Sequence, residues 1–475
     1  MGETTKRNIT RRSVLKGLAW SASGFLILND ARSAHSYAAN DKLNIALIGV
    51  GGRGKWYVDV IPRQANVVAF CDVNESRATA AYREHPEVPK FQDFREMLDK
   101  LDKQIDGAIV ATPDHTHAIA AVTAMKAGKH AFVEKPLCGS IHEARTLRQV
   151  AQQHKVATQM GNQGSSGAQF RRGVELIQDG VLGEVREVYI WNSGGGADRE
   201  DPPQGEQAIP PYLNWDLWLG PVKSRPFHAS WLGWSQWREF GTGQIGMWAS
   251  HTSYLTFLAL NILSLWHAEP SARPRIKVRA EVSGINRVSF PRWEKVDFQI
   301  PARGDLPPVT IHWVNGGAAP GWKEKLEELV GDPADWDAPQ DGQSQEGDKK
   351  QKWSEFAGAV LLGSQGRLHS TGHNYTIDLL PAKQFVDVDV RAPKRLTNSH
   401  GMPEPDWLRV ARGDNHWTAW SSFSSTGPYM EMLLLANVAT QFDEELEYDP
   451  LEGKIVNHAE ADALLRRPYR EGWTL

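Results

Sequence analysis

The sequence predicts an α/β protein whose first folded part is a doubly wound, mostly parallel sheet. A glycine-rich turn follows the first buried strand, and strands then alternate with helices up to Met160. The pattern changes from Ser165 onward, and 475 residues are too many for one hydrophobic core. We therefore expect at least two folded domains.

The composition is typical of a globular protein and excludes several classes. Hydrophobic residues make up 41% and charged residues 23% of the chain, and the mean hydropathy is −0.46. The net charge of −4 argues against a nucleic-acid-binding protein, which needs a basic face. Cys71 and Cys138 lie far apart, so neither a disulfide framework nor a zinc ribbon is predicted. Nineteen tryptophans against ten tyrosines are an unusual excess.

The first 38 residues have the three-part layout of an export signal. The basic pair Arg11-Arg12 is followed by a short apolar run from Gly17 to Leu28 and then by small residues. The run is too short to span a bilayer, and the paired arginines predict a twin-arginine signal, which exports folded proteins. Residues 1–38 thus predict a periplasmic or otherwise exported protein that meets the twin-arginine export machinery. An N-terminal membrane anchor or a basic tail is the alternative.

A dinucleotide site begins just after this segment. The strand over 43–48 ends at Gly49-Val50-Gly51-Gly52-Arg53-Gly54, which opens a helix over 55–61. Glycines at the first, third and last positions permit a tight turn, close approach of a pyrophosphate and close packing of helix on strand. Asp72 ends a second strand over 66–71, and it favours NAD over NADP because a carboxylate accepts ribose hydroxyls and repels a 2′-phosphate. Arg77 keeps NADP as the alternative.

The remaining elements of the first domain follow in order. Helices are predicted over 94–101, 118–127 and 140–153, the last with a capping box at Ser140 and Glu143. Strands are predicted over 107–111, 130–133 and 156–160. In such a sheet the functional residues lie just after the carboxyl ends of the strands. We expect the site there, at Gly49, Asp72, Thr112, Glu134-Lys135-Pro136 and Gly161-Asn162.

Several motifs occur in an order that is specific as a set. Besides the glycine run they are Cys71-Asp72-Val73, Ala111 to His117, Ala127 to His130, Glu134-Lys135-Pro136, Trp215 to Pro221, Trp237 to Gly243 and Leu446 to Pro450. On these motifs the chain resembles the Gfo/Idh/MocA family of oxidoreductases, and its exported branch in particular. The resemblance implies a Rossmann domain over 39–164 and an α/β domain over 165–445 with a large, mainly antiparallel sheet that forms homo-oligomer contacts. It leaves residues 446–475 as a C-terminal tail.

The resemblance also implies the chemistry, which is NAD(P)-dependent hydride transfer at a carbon that bears a hydroxyl. The family's catalytic lysine corresponds to Lys135, and its acid–base histidine to His251. Met247 stands where the family often has an aspartate, four residues before the histidine. A surface lysine and a core histidine are the alternative interpretations, and the substitution leaves room for altered chemistry or for a relative without activity.

The cofactor is predicted to contact the glycine run and the loops at the strand ends. We expect these contacts at Gly49, Gly51, Gly52, Arg53, Gly54, Asp72, Thr112, Pro113, His115, His117, Glu134, Lys135 and Asn162. His115 and His117 form an H-x-H pair, but no third ligand stands at a suitable spacing, so no metal is predicted.

The second domain has its own pattern. A helix with an apolar stripe over 170–181 precedes strands over 185–191, 277–282, 296–300, 309–314 and 366–370. The irregular segment over 192–237 is rich in tryptophan, and loops of this length are usually functional. Because indole faces stack on sugar rings, we predict a carbohydrate site at Tyr212, Trp215, His228, Trp237 and Arg238, with core packing as the alternative. A polar insertion is predicted at about 320–352.

Together these features predict an exported NAD(P)-dependent oxidoreductase that acts on a hydroxyl of a sugar, glycoside or cyclitol and retains its cofactor between turnovers. Two alternatives stay open. One is an NAD-dependent glycoside hydrolase or lyase that uses transient oxidation and elimination, and the other is a non-catalytic sugar-binding relative. The expected partners are a small carbohydrate or polyol and the export machinery, with no nucleic acid.

Overall fold

The structure, a computed structural model, describes residues 42–336, 353–414 and 416–475. The predicted export signal at 1–38 and residues 337–352 of the predicted polar insertion lie outside these ranges. Among the described helices, none combines the length and the apolar character that a bilayer crossing requires.

The N-terminal domain is built on six parallel strands in the order β3-β2-β1-β4-β5-β6. The strands are β1 (Asn44–Ile48), β2 (Asn66–Cys71), β3 (Lys90–Phe91), β4 (Gly107–Val110), β5 (His130–Val133) and β6 (Thr158–Met160). The helices between them are α1 (Gly54–Val60), α2 (Glu75–Glu84), α3 (Phe94–Lys100), α4 (Asp114–Lys126) and α5 (Ile141–His154). Strands β4 and β5 are buried throughout, as a sheet covered by helices on both faces requires. This arrangement is a Rossmann fold and confirms the predicted fold class.

The second domain contains nine strands in the order β13-β12-β11-β7-β10-β9-β8-β14-β15. They are β7 (Val185–Asn192), β8 (Ile276–Val282), β9 (Glu294–Ile300), β10 (Val309–Asn315), β11 (Ala357–Gly363), β12 (Gly366–Thr371), β13 (Ile377–Leu380), β14 (Leu446–Asp449) and β15 (Lys454–Ile455). Strands β7 and β10 pair in parallel and the other neighbours pair antiparallel, so the sheet is mainly antiparallel, as predicted.

The helices of the second domain are α6 (Ala168–Gln178), α7 (Trp215–Leu219), α8 (Ser250–Thr252), α9 (Tyr254–Ala259), α10 (Trp322–Val330), α11 (Pro403–Ala411), α12 (Phe423–Ala439) and α13 (Ala459–Ala463). Most of them pack against one face of this sheet or against the Rossmann domain, while α10 covers the opposite face of the sheet. A π-helical turn over Ile245–Ala249 leads directly into α8. Such turns are rare and occur frequently at functional sites.

Two predicted boundaries need correction. Residues 446–449 were expected in a tail, but as β14 they pair with β8 and belong to the nine-stranded sheet. Residues 322–330 were expected in a polar insertion, but as α10 they bury Trp322, Leu326 and Leu329 against the sheet. An amphipathic helix thus occupies the start of the predicted insertion.

Late segments of the chain complete the Rossmann domain. The Met160 N–H of β6 donates to the Ser421 carbonyl over 2.8 Å, and the Phe423 N–H donates to Thr158 Oγ1 over 3.0 Å. On the next strand, the Trp407 ring of α11 lies 5.6 Å from the ring of Phe132. The two sheets are therefore joined by a continuous interior.

Two buried carboxylates stabilise this interior by hydrogen bonds. Glu431 of α12 accepts hydrogen bonds from Arg145 of α5, Trp266 and Tyr448, and thereby links the two domains. Glu175 of α6 is fully buried and accepts from three consecutive backbone N–H groups over 394–396 and from Arg172. Burial alone would raise the pKa of Glu175. These hydrogen bonds lower the pKa by a larger amount, so it lies below the usual value.

Candidate active site

The glycine run forms a backbone cradle that side chains would fill. Gly49 has a φ of 82°, and a Cβ there would lie 2.6 Å from the Ala111 carbonyl oxygen. A Cβ on Gly54 would lie 2.0 Å from the Gly49 carbonyl oxygen, so helix α1 packs directly on the turn. A Cβ on Gly51 would lie 2.7 Å from Arg77 Cβ. The glycines thus have the roles that a pyrophosphate-binding turn requires.

Asp72 lies at the end of β2 against this cradle. Its Oδ2 accepts the Val50 N–H over 2.9 Å and the Gly51 N–H over 3.2 Å, and its Oδ1 accepts the Asn74 N–H over 2.9 Å. Burial raises the pKa of Asp72, and the three N–H donors oppose this shift without cancelling it. The carboxylate therefore occupies the position at which an adenosine ribose is read in this fold.

Glu134 connects the cradle to Lys135. The carboxylate is 3% exposed; Oε1 accepts from Arg53 Nε over 2.6 Å and from the Tyr57 hydroxyl, and Oε2 accepts the Lys135 N–H over 3.0 Å. Both oxygens therefore have partners inside the protein, and a cofactor contact from Glu134 stays a prediction. Arg53 Nη2 is buried without a hydrogen-bond partner among the described residues, so this nitrogen is available to an anionic ligand.

Lys135 follows β5 and faces the second domain. Its Nζ donates to the Met247 carbonyl oxygen over 3.3 Å, and Met247 lies in the π-helical turn. The turn packs closely here, since a Cβ on Gly246 would lie 3.3 Å from Pro136 Cγ. The Met247 side chain has no carboxylate, but its backbone carbonyl supplies an acceptor to Lys135.

His251 lies in α8, directly after this turn, and is 4% exposed. Its Nδ1 is buried and has no hydrogen-bond partner among the described residues. Burial lowers the pKa of His251 well below its usual value, and the nearby charges of Lys135, His373 and Arg53 lower it further. The imidazole is therefore neutral and can accept a proton only from a group that approaches closely.

His373 belongs to the site and was missed by sequence reasoning. It lies in the loop between β12 and β13, and its ring centroid is 4.5 Å from that of His251 and 5.1 Å from that of Trp248. Tyr375 in the same loop stacks on His373 at 5.8 Å and is 47% exposed. No motif marks this loop, because β13 itself was not predicted and a lone histidine carries no pattern.

His115 and His117 are buried at 2% and 1% exposure, which corrects their assignment to the cofactor. His115 Nε2 lies 2.8 Å from the Trp218 carbonyl oxygen, and burial lowers the pKa of His115 to about 3. The His117 ring nitrogens lie 2.7 Å from the carbonyl oxygens of Pro136 and Thr112. Both side chains thus bind backbone, and His117 joins the loop after β4 to the loop that carries Lys135.

Thr112, Pro113 and Asn162 lie at the strand ends where they were expected. The Thr112 hydroxyl accepts from the Thr116 hydroxyl over 2.7 Å, and both Thr112 and Pro113 are half-buried. Asn162 is 1% exposed and its Nδ2 donates to the Ser250 carbonyl oxygen over 3.5 Å. Asn162 thus supports the helix that carries His251.

The tryptophan-rich segment forms a core instead of a sugar-binding surface. Trp215 and Trp237 are 6% and 2% exposed, and their indole N–H groups donate to the Arg225 and Ser230 carbonyl oxygens, both over 2.9 Å. Arg238 is 8% exposed and donates to Ser289, Asn437 and Thr440, and burial lowers its pKa to about 10. These three positions are corrected from substrate contacts to packing residues.

Tyr212 and His228 have different surroundings. Tyr212 is 42% exposed, and its carbonyl oxygen accepts the Glu75 N–H over 2.9 Å beside the Asp72 loop. His228 caps a short 3₁₀ turn by accepting the Ser230 N–H at Nδ1 over 3.2 Å. Neither residue contacts Lys135 or His251 in the described contacts. Within the described ranges, no group of three or more His, Cys, Asp or Glu side chains is arranged to hold a metal ion.

Comparison with known proteins identifies the family that the N-terminal domain matches. Residues 43–162 match the Gfo/Idh/MocA family model, described as an oxidoreductase family with an NAD-binding Rossmann fold. This part of the chain is an NAD-binding Rossmann domain. The cradle, Asp72 and Lys135 all lie within the matched residues.

Curated relatives match over less than half of the chain. A glycosyl hydrolase family 109 protein from Shewanella sp. (strain W3-18-1) is 28% identical over 206 residues, covering 38% of this chain and 44% of that protein. The chain thus spans less than half the length of the curated relatives it matches.

Solved structures extend the similarity of fold over both domains. The WlbA dehydrogenase from Bordetella pertussis, in complex with NADH and UDP-GlcNAcA, aligns with a TM-score of 0.55 at 16% identity, covering 85% of this chain and 98% of that one. An inositol dehydrogenase homolog from Azotobacter vinelandii, complexed with NADH and myo-inositol, aligns with a TM-score of 0.51 at 15% identity, covering 87% and 99%. At such identities the similarity shows the fold.

Proposed function

We propose that this chain is an NAD-dependent oxidoreductase that acts on a hydroxyl of a sugar, glycoside or cyclitol. The proposal rests on one observation, which is that Lys135 lies where the two domains contact each other. The residue follows β5 of the NAD-binding domain, and its Nζ donates to the turn that leads into His251 of the second domain. In this fold the ends of the strands are where the cofactor and its substrate meet.

The residues of the cleft divide the chemistry between them. NAD, when bound, accepts a hydride from the carbon that is oxidised. Lys135 binds the oxygen on that carbon, and the one proton that the hydroxyl releases passes through Lys135 to neutral His251. The Arg53–Glu134 pair fixes the backbone at Lys135, because Glu134 accepts the Lys135 N–H, while the unpartnered Arg53 Nη2 is available to an anion such as a cofactor phosphate.

A carbohydrate suits the aromatic walls of this cleft. Trp248 and Tyr375 contact His373, and the Trp248 ring lies 4.8 Å from that of Phe356. Phe356 and Tyr375 are 48% and 47% exposed, as rings that stack on a sugar must be. Two proteins of similar fold are described with bound UDP-GlcNAcA and myo-inositol, which supports a sugar or polyol here.

A panel experiment tests this function. The purified full chain is examined by mass spectrometry for bound nucleotide and then assayed with sugars, glycosides and cyclitols for reduction of NAD. Lys135→Ala is expected to lower turnover by about 10²–10⁴-fold and to leave NAD bound. Lys126→Ala, an exposed lysine at the far end of α4, is the matched control. A wild-type protein that holds no nucleotide and oxidises none of the panel would instead be a non-catalytic sugar-binding relative.

A second candidate function is net glycoside hydrolysis, favoured by the glycosyl hydrolase family 109 relatives. Here a ring hydroxyl is oxidised, the neighbouring carbon loses a proton, the glycosidic oxygen leaves, water adds, and the hydride returns. Release of the aglycone without accumulation of NADH identifies this reaction, whereas simple oxidation accumulates NADH and leaves the glycosidic bond intact.

We further propose that residues 1–38 export the protein folded through the twin-arginine machinery to the periplasm, and that the cofactor is retained between turnovers. An exported enzyme has no free NAD pool to draw on, so retention and export are consistent with each other. Replacing Arg11-Arg12 by Lys-Lys should retain the protein in the cytoplasm, as cell fractionation detects. Light scattering tests the proposed homo-oligomer.

A further inference from the structure

We propose that His373 carries the proton of the oxidised hydroxyl from His251 to solvent, as the outer member of a two-histidine relay. The inference rests on the proposed function, in which that proton passes through Lys135 to His251. It assigns a step to a residue that no sequence motif marks. Its experiment therefore measures the movement of the proton separately from the oxidation of the sugar.

His251 cannot keep the proton that it receives. The side chain is buried, and the charged groups that act on it, Lys135 and Arg53, are both basic. A buried imidazolium near these cations is unfavourable, because burial and like charges both oppose the charged form. The proton therefore has to leave His251 before the next turnover.

His373 is the neighbouring ring that can take this proton. The centroids of the His251 and His373 rings lie 4.5 Å apart, with 51° between the ring planes. The other described ring contact of His251 is with Trp248 at 6.3 Å, and an indole N–H is a donor only. At the separation of the two imidazoles a proton can pass directly, after a rotation of one ring, or through one water molecule.

The nitrogen atoms of both histidines are available for this exchange. His251 Nδ1 has no hydrogen-bond partner among the described residues, and the described side-chain contacts of His373 are with other rings and include no hydrogen bond. An imidazole relays a proton by accepting it at one nitrogen and donating from the other, so neither nitrogen should be held by the backbone. His117 is the contrast, since both of its ring nitrogens lie 2.7 Å from carbonyl oxygens.

His373 also connects the buried histidine to the mouth of the cleft. Its side chain is half-buried, and the next ring outward, Tyr375, stacks on it at 5.8 Å and is exposed. Exposure thus increases from His251 through His373 to Tyr375. A proton that reaches His373 is on a ring that contacts solvent, to which it can be released.

The spacing of the two histidines is fixed by the residues beside them. Asn374 is buried, and its Nδ2 donates to the His251 carbonyl oxygen over 2.5 Å. Thr252 Oγ1 donates to the Gly372 carbonyl oxygen over 2.8 Å. Both neighbours of His373 in the chain are therefore bonded to α8, the helix that carries His251. Proton transfer requires such a constant short distance between donor and acceptor.

The relay leaves the balance of the reaction unchanged. The oxidised carbon loses a hydride to NAD, its oxygen loses one proton, and a carbonyl bond forms between the two atoms. That proton reaches His251 through Lys135, His251 gives the hydrogen of its other nitrogen to His373, and His373 gives one to water. Each histidine ends neutral, and one proton enters solution for each NADH formed.

The experiment is a single turnover of the NAD-loaded full chain with the fastest sugar of the panel. Stopped-flow absorbance follows NADH, and a pH-indicator dye in weakly buffered solution follows the released proton. In the wild type the two signals should rise together. In His373→Gln the release of the proton should be slower by about 10²-fold, while NADH formation and the affinities for NAD and sugar are retained. His267→Gln, an exposed histidine outside the cleft, is the control and should match the wild type.

A second variant separates a relay from a structural role. His373→Ala leaves space for free imidazole, and added imidazole should restore the release of the proton, which a disturbed loop would not allow. Circular dichroism checks that both variants are folded.

The outcomes distinguish this inference from the proposed function. If the proton appears together with NADH in both His373 variants, the relay is refuted and the oxidoreductase proposal stands. Slow release that imidazole does not restore, or loss of sugar affinity in His373→Gln, would also overturn the relay. A wild-type chain that forms no NADH with any sugar of the panel refutes the proposed function and the relay with it, because no hydroxyl proton is then released.

Discussion

Replacing Trp237 with alanine tests whether the tryptophan-rich segment is a core or a sugar-binding surface. Trp237 is 2% exposed, its ring centroid lies 4.9 Å from that of Trp231, and its N–H donates to the Ser230 carbonyl oxygen. Removing a fully buried tryptophan costs about 3–5 kcal/mol, because the cavity that remains relaxes only in part. In a domain of this size each kcal/mol lowers the melting temperature by about 2–4 °C, so Trp237→Ala should lower it by about 6–20 °C.

The assay is thermal unfolding of the full chain, followed by circular dichroism, with sugar turnover measured well below the transition. Tyr212→Ala is the matched control, because Tyr212 lies in the same segment but is 42% exposed. The free energy of unfolding of Tyr212→Ala should differ from that of the wild type by no more than about 0.5 kcal/mol. If Trp237→Ala kept the wild-type melting temperature and raised only the KM for sugar, the assignment of Trp237 to the core would be refuted.

Three further substitutions test the cofactor cradle and the buried carboxylates. Gly54→Ala should weaken NAD binding by about 5–150-fold in calorimetry, since a Cβ would lie 2.0 Å from the Gly49 carbonyl oxygen and overpacking costs about 1–3 kcal/mol. Glu175→Gln should lower the melting temperature at neutral pH. Because the folded pKa of Glu175 is depressed, its contribution exists above the unfolded pKa and is lost as the pH falls through the folded value, so wild type and variant should converge in acid. Glu431→Gln leaves Arg145 without its buried counter-charge and should cost about 3–5 kcal/mol in urea unfolding, whereas an unchanged midpoint would mean that the pair is not needed.

The Rossmann domain was predictable because its signals are local. Strands β2 and β5 have the predicted bounds, and the capping box at Ser140 and Glu143 is present. Buried parallel strands are short apolar runs between glycine-rich turns and amphipathic helices. The hydrophobic periodicity and the turn residues are therefore enough to predict them. In the second domain, α10 and β14 were missed, because their apolar faces are defined by partners distant in the sequence.

The candidate site was predictable only where a motif exists. Lys135 and His251 could be named from their surroundings in the sequence, while His373 could not, since its position depends on the pairing of β12 with β13. The tryptophans were misjudged for a related reason. Composition cannot distinguish an indole that faces a cleft from one such as Trp237 that packs inside, because both occur in long irregular segments.

The contacts of Ser421, Phe423 and Trp407 with the Rossmann sheet determine when that domain can finish folding. Strand β6 is complete in sequence at Met160, but its bonds to 421–423 form only after the ribosome has added most of the remaining chain. During synthesis the apolar surface around Phe132 and Met160 therefore stays uncovered. A fragment that stops after residue 162 should aggregate or bind chaperones, although it contains the whole segment by which NAD-binding relatives are recognised.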